Sequence, residues 1–178
     1  MKIFLPTDFS DCSKKACVFA ASHLPEDFVF TLIHAIHTPQ AGATLLINLD
    51  EELRSVAREN MESLVKELEF IFPAIEFKSI IKFGSVNQVV NEIVSADDLI
   101  VVGTTGASGI NSVIGSNTSG LIRYAKCPLI CIPDSVNPLK QLNKAMFSTD
   151  FKNDASIKQL DKLEKLLSIL RLKIEVLH

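Results

Sequence analysis

The sequence predicts an α/β fold: a doubly wound, five-stranded parallel sheet with helices on both faces. Three observations lead there. Strand-like runs such as Leu99–Val102 and Leu129–Ile132 are nearly unbroken in Ile, Val and Leu, the pattern of strands covered on both faces. Helical stripes alternate with these runs in the order β-α-β-α-β-α-β-α-β, and parallel neighbours need such right-handed crossovers. A Gly-rich segment, Gly103–Gly115, leaves the fourth strand and ends at a helix start, a connection that suits anion binding at the carboxyl end of a sheet.

The elements run in this order. Lys2–Thr7 is a short apolar strand, and Asp8-Phe9-Ser10-Asp11 supplies cap chemistry for a helix over about Asp11–Leu24. Phe28–Ile36 is a second buried strand. His37–Asn48 reads as a loop with at most a helical turn. A long helix over about Asp50–Ile71 buries Leu53, Ala57, Met61, Leu64 and Leu68, while Glu51, Glu52, Arg54, Glu59 and Glu62 form its solvated face. Pro73 ends it, and Glu76–Phe83 is the third strand. Gly84-Ser85 opens a helix with an apolar stripe at Val86, Val89, Val90 and Ile93. Leu99–Val102 and Leu129–Ile132 are strands four and five, with a short helix from Ser116 between them.

Composition narrows the class. The 178 residues are 47% hydrophobic and 22% charged, as in a soluble globular protein, and the net charge of −3 offers no basic field for nucleic acid or anionic lipid. No apolar run nears the ~20 residues that span a bilayer, and the opening MKIFLPTDFSD is too short for a signal-peptide core. Cys12, Cys17, Cys127 and Cys131 fall inside predicted helices and strands rather than in a disulfide framework, so the expected compartment is the reducing cytoplasm.

After a polar linker the chain begins again. Lys144–Phe151 (KAMFSTDF) echoes Lys2–Phe9 (KIFLPTDF) at a constant spacing of 142 residues (144 − 2). An amphipathic helix over about Asp154–Leu170 comes next, and Lys173–His178 then resembles the second strand with its terminal His34. The expected division is a first domain over 1–137, a linker over 138–143 and an incomplete second copy over 144–178. Strand, helix and strand cannot bury their own apolar faces, so the copy is expected to dock on the first domain, to pair with another chain, or to be the front of a longer protein.

The chemistry-bearing signal is Gly103-Thr-Thr-Gly106, eight residues, then Gly115-Ser116. Glycines let a backbone approach phosphate without a Cβ in the way, and Ser116 and Thr118 add hydroxyls at a helix start. A plain connection with Gly for turns and Ser for capping has the same spacing, and on spacing alone both readings stand. There is no Walker Lys and no G-x-G-x-x-G. Asp8, at a strand end, can accept from ribose hydroxyls or help hold a metal, although taken alone it reads first as a helix cap. Asp8 and Gly103 both lie at strand carboxyl ends and are expected to face one crevice.

Together these pieces resemble the universal stress protein family, in its ATP-binding branch. The carriers are Pro6-Thr7-Asp8-Phe9-Ser10, Leu32-Ile33-His34, Val101-Val102-Gly103-Thr104-Thr105-Gly106-Ala107-Ser108-Gly109, Gly115-Ser116-Asn117-Thr118 and Cys127-Pro128-Leu129-Ile130. The resemblance covers Met1 to about Pro133, and the partial repeat is similar to tandem members. It implies an adenine-nucleotide alpha-hydrolase-like fold and an ATP site with Mg or Mn. Pro6 and Thr7 lead into the site. Asp8 would contact the ribose or a metal, and Ala35 would border adenine. Val102 and Gly103 would flank the nucleoside, and Gly106, Gly115, Ser116, Asn117 and Thr118 would surround the phosphates. The family usually has nine residues between the second and third glycines, and this chain has eight (Ala107–Ile114). One residue lost from a helical turn rotates the chain beyond it by ~100°. Because the phosphate-facing residue types are all kept, absorption within the loop is the expectation.

The other candidates point elsewhere. Cys12-x4-Cys17 and Cys127-x3-Cys131 lack zinc-ligand spacing and read as buried structural thiols. His34 and His37 are three apart on a strand end and point to opposite faces, so His34 reads as a packed residue. No paired carboxylates and no nucleophile–base pair accompany the loop, so the function expected is nucleotide-dependent regulation or assembly with at most weak ATPase activity. A dimerisation module without nucleotide, its glycines serving turns only, is the competing reading. In either case the fifth strand, at a sheet edge, is expected to pair in a homodimer or an intrachain pseudo-dimer.

Overall fold

The computed structural model describes residues 1–37, 46–104, 116–148 and 157–177. β1 (Lys2–Pro6), α1 (Asp11–His23), β2 (Val29–Ile36), α2 (Leu46–Ile71), β3 (Phe77–Phe83), α3 (Val86–Ile93), β4 (Leu99–Thr104), α4 (Ser116–Tyr124) and β5 (Leu129–Pro133) form the main unit. Its strands make one parallel sheet in the order β3-β2-β1-β4-β5. This is the doubly wound α/β arrangement expected, with helices on both faces.

Two apolar layers cover the sheet. Ile3, Leu5, Leu32 and Val101 point into a core shared with Ala16, Phe19 and Ala20 of α1 and Met61, Leu64 and Leu68 of α2. The alternate residues Phe4, Ile33, Ile100 and Val102 point into a second core with Val89 and Val90 of α3 and Leu121 of α4. Successive residues of the central strands β1, β2 and β4 are therefore buried, which is why those strands read as unbroken apolar runs.

Local chemistry explains the boundaries. Ser10 caps α1, its hydroxyl accepting from the Ser13 amide at 3.3 Å, so the cap falls to Ser10 rather than Asp8. Ser85 caps α3 in a reciprocal box with Gln88. α2 begins at Leu46, earlier than the expected Asp50, because no Gly or Pro separates Leu46 from Asp50 to stop the helix. Arg54 of that helix is not simply solvated: its guanidinium lies 4.8 Å from the Phe83 ring centroid.

β4 also runs further than expected, through Gly103 and Thr104, because β5 pairs with both (Gly103 with Ile132, Thr104 with Pro133). Gly103 is thus strand, and its need for glycine is one of packing. An added Cβ there would sit 2.5 Å from the Cys12 carbonyl oxygen of α1.

Beyond the main unit, β6 (Lys144–Ser148), α5 (Ile157–Ile169) and β7 (Lys173–Leu177) form a separate parallel pair with its crossover helix. Leu166, Ile169 and Leu170 pack against the first core, and the Lys162 ammonium donates to the Ala96 carbonyl at 3.1 Å. The pairing of β6 with β7 ends on Ser148 and Leu177, as that of β1 with β2 ends on Pro6 and Ile33. Met146, Ile174 and Val176 remain exposed on this strand pair.

Candidate functional site

β1 leads through β2 to β3 on one side of the sheet, while β4 leads to β5 on the other. The carboxyl ends of β1 and β4 therefore flank a switch point, where connections diverge and leave a crevice. A cavity of about 230 Å³ lies there. Pro6, Thr7 and Asp8 reach it from the end of β1, Val102 and Gly103 from β4, and His34 and Ala35 from β2. The start of α1 contributes Ser10, Cys12 and Ser13, α3 contributes Val86, and α4 contributes Asn117, Thr118 and Leu121.

The structure thus gathers Pro6, Thr7, Asp8, Ala35, Val102, Gly103, Asn117 and Thr118 around one space. Ser116 opens α4 beside them. Gly106 and Gly115, with the eight residues between them, lie outside the described residues. Thr118 is buried, and its hydroxyl donates to the Gly103 carbonyl at 3.2 Å. Its one proton is therefore spent on the strand, so Thr118 anchors the amino end of α4 and can offer a ligand only lone pairs.

Around Asp8 the turn is closed by its own side chains. The Ser10 amide and hydroxyl both donate to Asp8 Oδ1, at 3.1 and 2.5 Å. Partial burial pushes the Asp8 carboxyl up, but hydrogen bonds, those from Ser10 first and Ser13 next, together hold the group below its ordinary 3.8. The Phe9 amide donates to Thr7 Oγ1 at 3.0 Å, and Phe9 itself has a φ of 65°, which a bulky residue rarely adopts. Ser13 Oγ donates to the Ser10 carbonyl at 2.9 Å, so the 2.9 Å pair between Thr7 Oγ1 and Ser13 Oγ has Thr7 as donor.

Sequence reasoning missed His34, Ser10, Ser13, Cys12, Val86 and Leu121 as lining residues. His34 is half-buried, as a packed residue should be, but its Nδ1 also lies 2.8 Å from the Thr7 carbonyl and its ring 4.4 Å from that of Phe9. The stretch Pro6–Ser13 carried a signal for the two serines, since hydroxyls spaced around a carboxylate make local turn bonds. Cys12 donates its thiol to the Thr104 carbonyl at 3.0 Å. Burial pushes the Cys17 thiol up to about 12 and Cys127 up to about 11, and all four cysteines are free. Cys127 lies in the connection before β5 rather than in a strand, yet it is buried. Among the described residues no cluster of three His, Cys, Asp or Glu could hold a metal, and no helix is long and apolar enough to cross a membrane.

Among the described residues, the cavity lining holds one carboxylate and no Lys or Arg. Three helix amino ends, those of α1, α3 and α4, supply the positive potential, so the arrangement suits an anion that brings its own cation.

Residues 1–133 match the Universal stress protein family. The chain belongs to that family. Universal stress protein G of Shigella flexneri is 28% identical over 142 residues, which are 73% of this chain and 96% of that one. A solved universal stress protein from Archaeoglobus fulgidus DSM 4304 has a TM-score of 0.65 at 16% identity, covering 98% of this chain and 76% of its own. Another universal stress protein, solved in complex with cAMP, has a TM-score of 0.51 at 16% identity, covering 74% of this chain and 96% of its own. At these identities the two structures establish the shared fold. Within the universal stress protein sheet, β5 is an edge strand, as expected from the order of strands.

Proposed function

We propose that this chain is a cytoplasmic ATP-binding stress-response module, one that changes conformation or assembly with its nucleotide and hydrolyses it slowly at most. The observation that carries this reading is the meeting of Asp8, Gly103 and the amino end of α4 at a cavity on the β1/β4 switch point. Such crevices bind nucleotides in open α/β sheets, and a family member of the same fold is described in complex with cAMP.

In this reading Pro6 and Thr7 shape the base of the site, Asp8 meets the ribose or a metal, and Ala35 borders adenine. Val102 and Gly103 flank the nucleoside. Gly106, Gly115, Ser116 and Asn117 surround the phosphates, with Thr118 holding α4 in place. Thr105–Gly115 contains no Lys or Arg, so phosphate charge would be met by Mg or Mn. The fit is chemical: a carboxylate oxygen of Asp8 is a hard donor suited to either ion, and phosphate oxygens complete such a shell.

The universal-stress-protein domain over 1–137 is joined by a linker over 138–143 to a partial second copy over 144–178. Its support is the echo of Lys2–Phe9 in Lys144–Phe151 and the matching ends of the two strand pairings. Association runs through the edge of β5 in a homodimer or an intrachain pseudo-dimer; α4, which leads into β5, exposes Ile122 and Tyr124.

Thermal unfolding with ATP, with and without Mg or Mn, tests the reading. A ligand at 100 times its Kd adds about 2.7 kcal/mol of stability. A midpoint that rises with Mg-ATP supports nucleotide binding, and an unmoved midpoint at millimolar ATP with either metal removes it. The eight-residue spacing between Gly106 and Gly115 favours the second reading, a dimerisation module without nucleotide. That reading expects a dimer whose stability ignores ATP.

A further inference from the structure

The turn that presents Asp8 is hydrogen-bonded to β2 at two points, and one of them is a side chain. The Thr7 amide donates to the Ile33 carbonyl at 2.8 Å, which extends the β1–β2 ladder one residue past the strand. The next contact is the 2.8 Å pair between His34 Nδ1 and the Thr7 carbonyl. A carbonyl can only accept, so Nδ1 carries the hydrogen.

The remaining hydrogen bonds of the turn are local, and Phe9 also packs against the first core. Phe9 N–H, Thr7 Oγ1–H, Ser13 Oγ–H and the Ser10 carbonyl form one directed chain of hydrogen bonds, and Ser10 ends on Asp8. Phe9 holds its left-handed backbone with its ring laid on the imidazole. His34 therefore touches the turn twice, by its Nδ1–H at Thr7 and by its ring at Phe9, on the two residues that flank Asp8.

The geometry points to His34 as the positioning residue of the site: its Nδ1–H bond to the Thr7 carbonyl fixes the turn that aims the Asp8 carboxylate into the crevice. It acts through Thr7 and Asp8, and its binding consequence rests on the nucleotide reading above. A strand-end His needed only for packing would tolerate any ring of similar size.

Three measurements on the full chain test this. In the wild type, ¹⁵N NMR of labelled histidine should find His34 in the Nδ1–H tautomer. His34→Phe keeps a ring and loses the donor; it should weaken Mg-ATP about tenfold, the worth of one lost hydrogen bond, and let the Asp8 carboxyl rise toward its ordinary value in an NMR titration. His34→Asn places an amide N–H where Nδ1 was and should restore both. An Nε2–H tautomer, a His34→Phe variant that changes neither readout, or a His34→Asn variant as impaired as His34→Phe would each overturn the assignment. If wild type fails to bind Mg-ATP, the nucleotide reading falls while the Asp8 titrations still decide the tether. If His34→Phe does not fold, the tautomer and the His34→Asn titration decide it.

Discussion

Gly103 lies under the first turn of α1, so close that a Cβ on it would stand 2.5 Å from the Cys12 carbonyl oxygen and 2.9 Å from its sulfur. Helix and strand meet backbone to backbone here, directly below the crevice. The same strand end holds α1 by the Cys12 thiol on the Thr104 carbonyl and α4 by the Thr118 hydroxyl on the Gly103 carbonyl. One short stretch of β4 thus sets the spacing of the α1 and α4 amino ends at the cavity.

Gly103→Ala should therefore act through the backbone of α1, which has no flexible side chain to yield. Overpacking of this kind costs about 1–3 kcal/mol. A urea titration should show a lower midpoint at unchanged slope, and ligand affinity should fall with it. A variant as stable as wild type would mean that α1 can move away freely.

The Asp8 carboxyl gives a pH signature. Its folded value lies below the ordinary 3.8, so ionised Asp8 adds stability above about pH 4, and that contribution is lost as pH falls through the folded value. Asp8→Asn should be less stable than wild type at neutral pH, and the difference should shrink in acid. Thermal midpoints of the two proteins from pH 7 to pH 3 provide the check; a constant gap would detach Asp8 from its Ser10 bonds.

The thiols should label in order of burial. Cys17 is fully buried and pushed up to about 12, so at pH 8 almost none of it is thiolate. A disulfide reagent should leave Cys17 untouched in the folded chain, react first with the half-exposed Cys131, and reach Cys17 only on unfolding. Early labelling of Cys17, mapped by mass spectrometry, would contradict its place in the core.

Leu166 of α5 joins the second strand pair to the first core. Leu166→Ala should cost about 2 kcal/mol or less, since the residue is only partly buried. Its larger effect should be local: hydrogen exchange in Lys144–Ser148 and Lys173–Leu177 should quicken, while β1 and β4 keep their protection. Equal quickening of β1 and β4 would show that the two sheets unfold as one unit.

Much of this architecture was legible along the chain. Unbroken apolar runs marked strands buried on both faces, helical stripes marked the crossovers, and their alternation alone required a parallel, doubly wound sheet. Asp8 and Gly103 could be assigned to one crevice because each lies near the carboxyl end of a strand. The misread positions share a different character. β4 continues past Gly103 because β5 offers partners at Ile132 and Pro133. Ser10, not Asp8, caps α1. Thr118 looked like a free hydroxyl, yet the Gly103 carbonyl takes its proton.

His34 is the sharpest instance. As a lone His on a strand it carried no sign of contact with Thr7, which lies 27 positions earlier. Patterns in sequence report what a residue meets within about one helical turn or one strand pleat. Fold class, element order and the ends that carry chemistry are encoded at that range, and the sequence determined them. Which hydroxyl is already bonded, which glycine lies under a helix, and which histidine holds the Asp8 turn depend on β1 lying between β2 and β4. Only the packed sheet decided those, because they are contacts between segments distant in the chain.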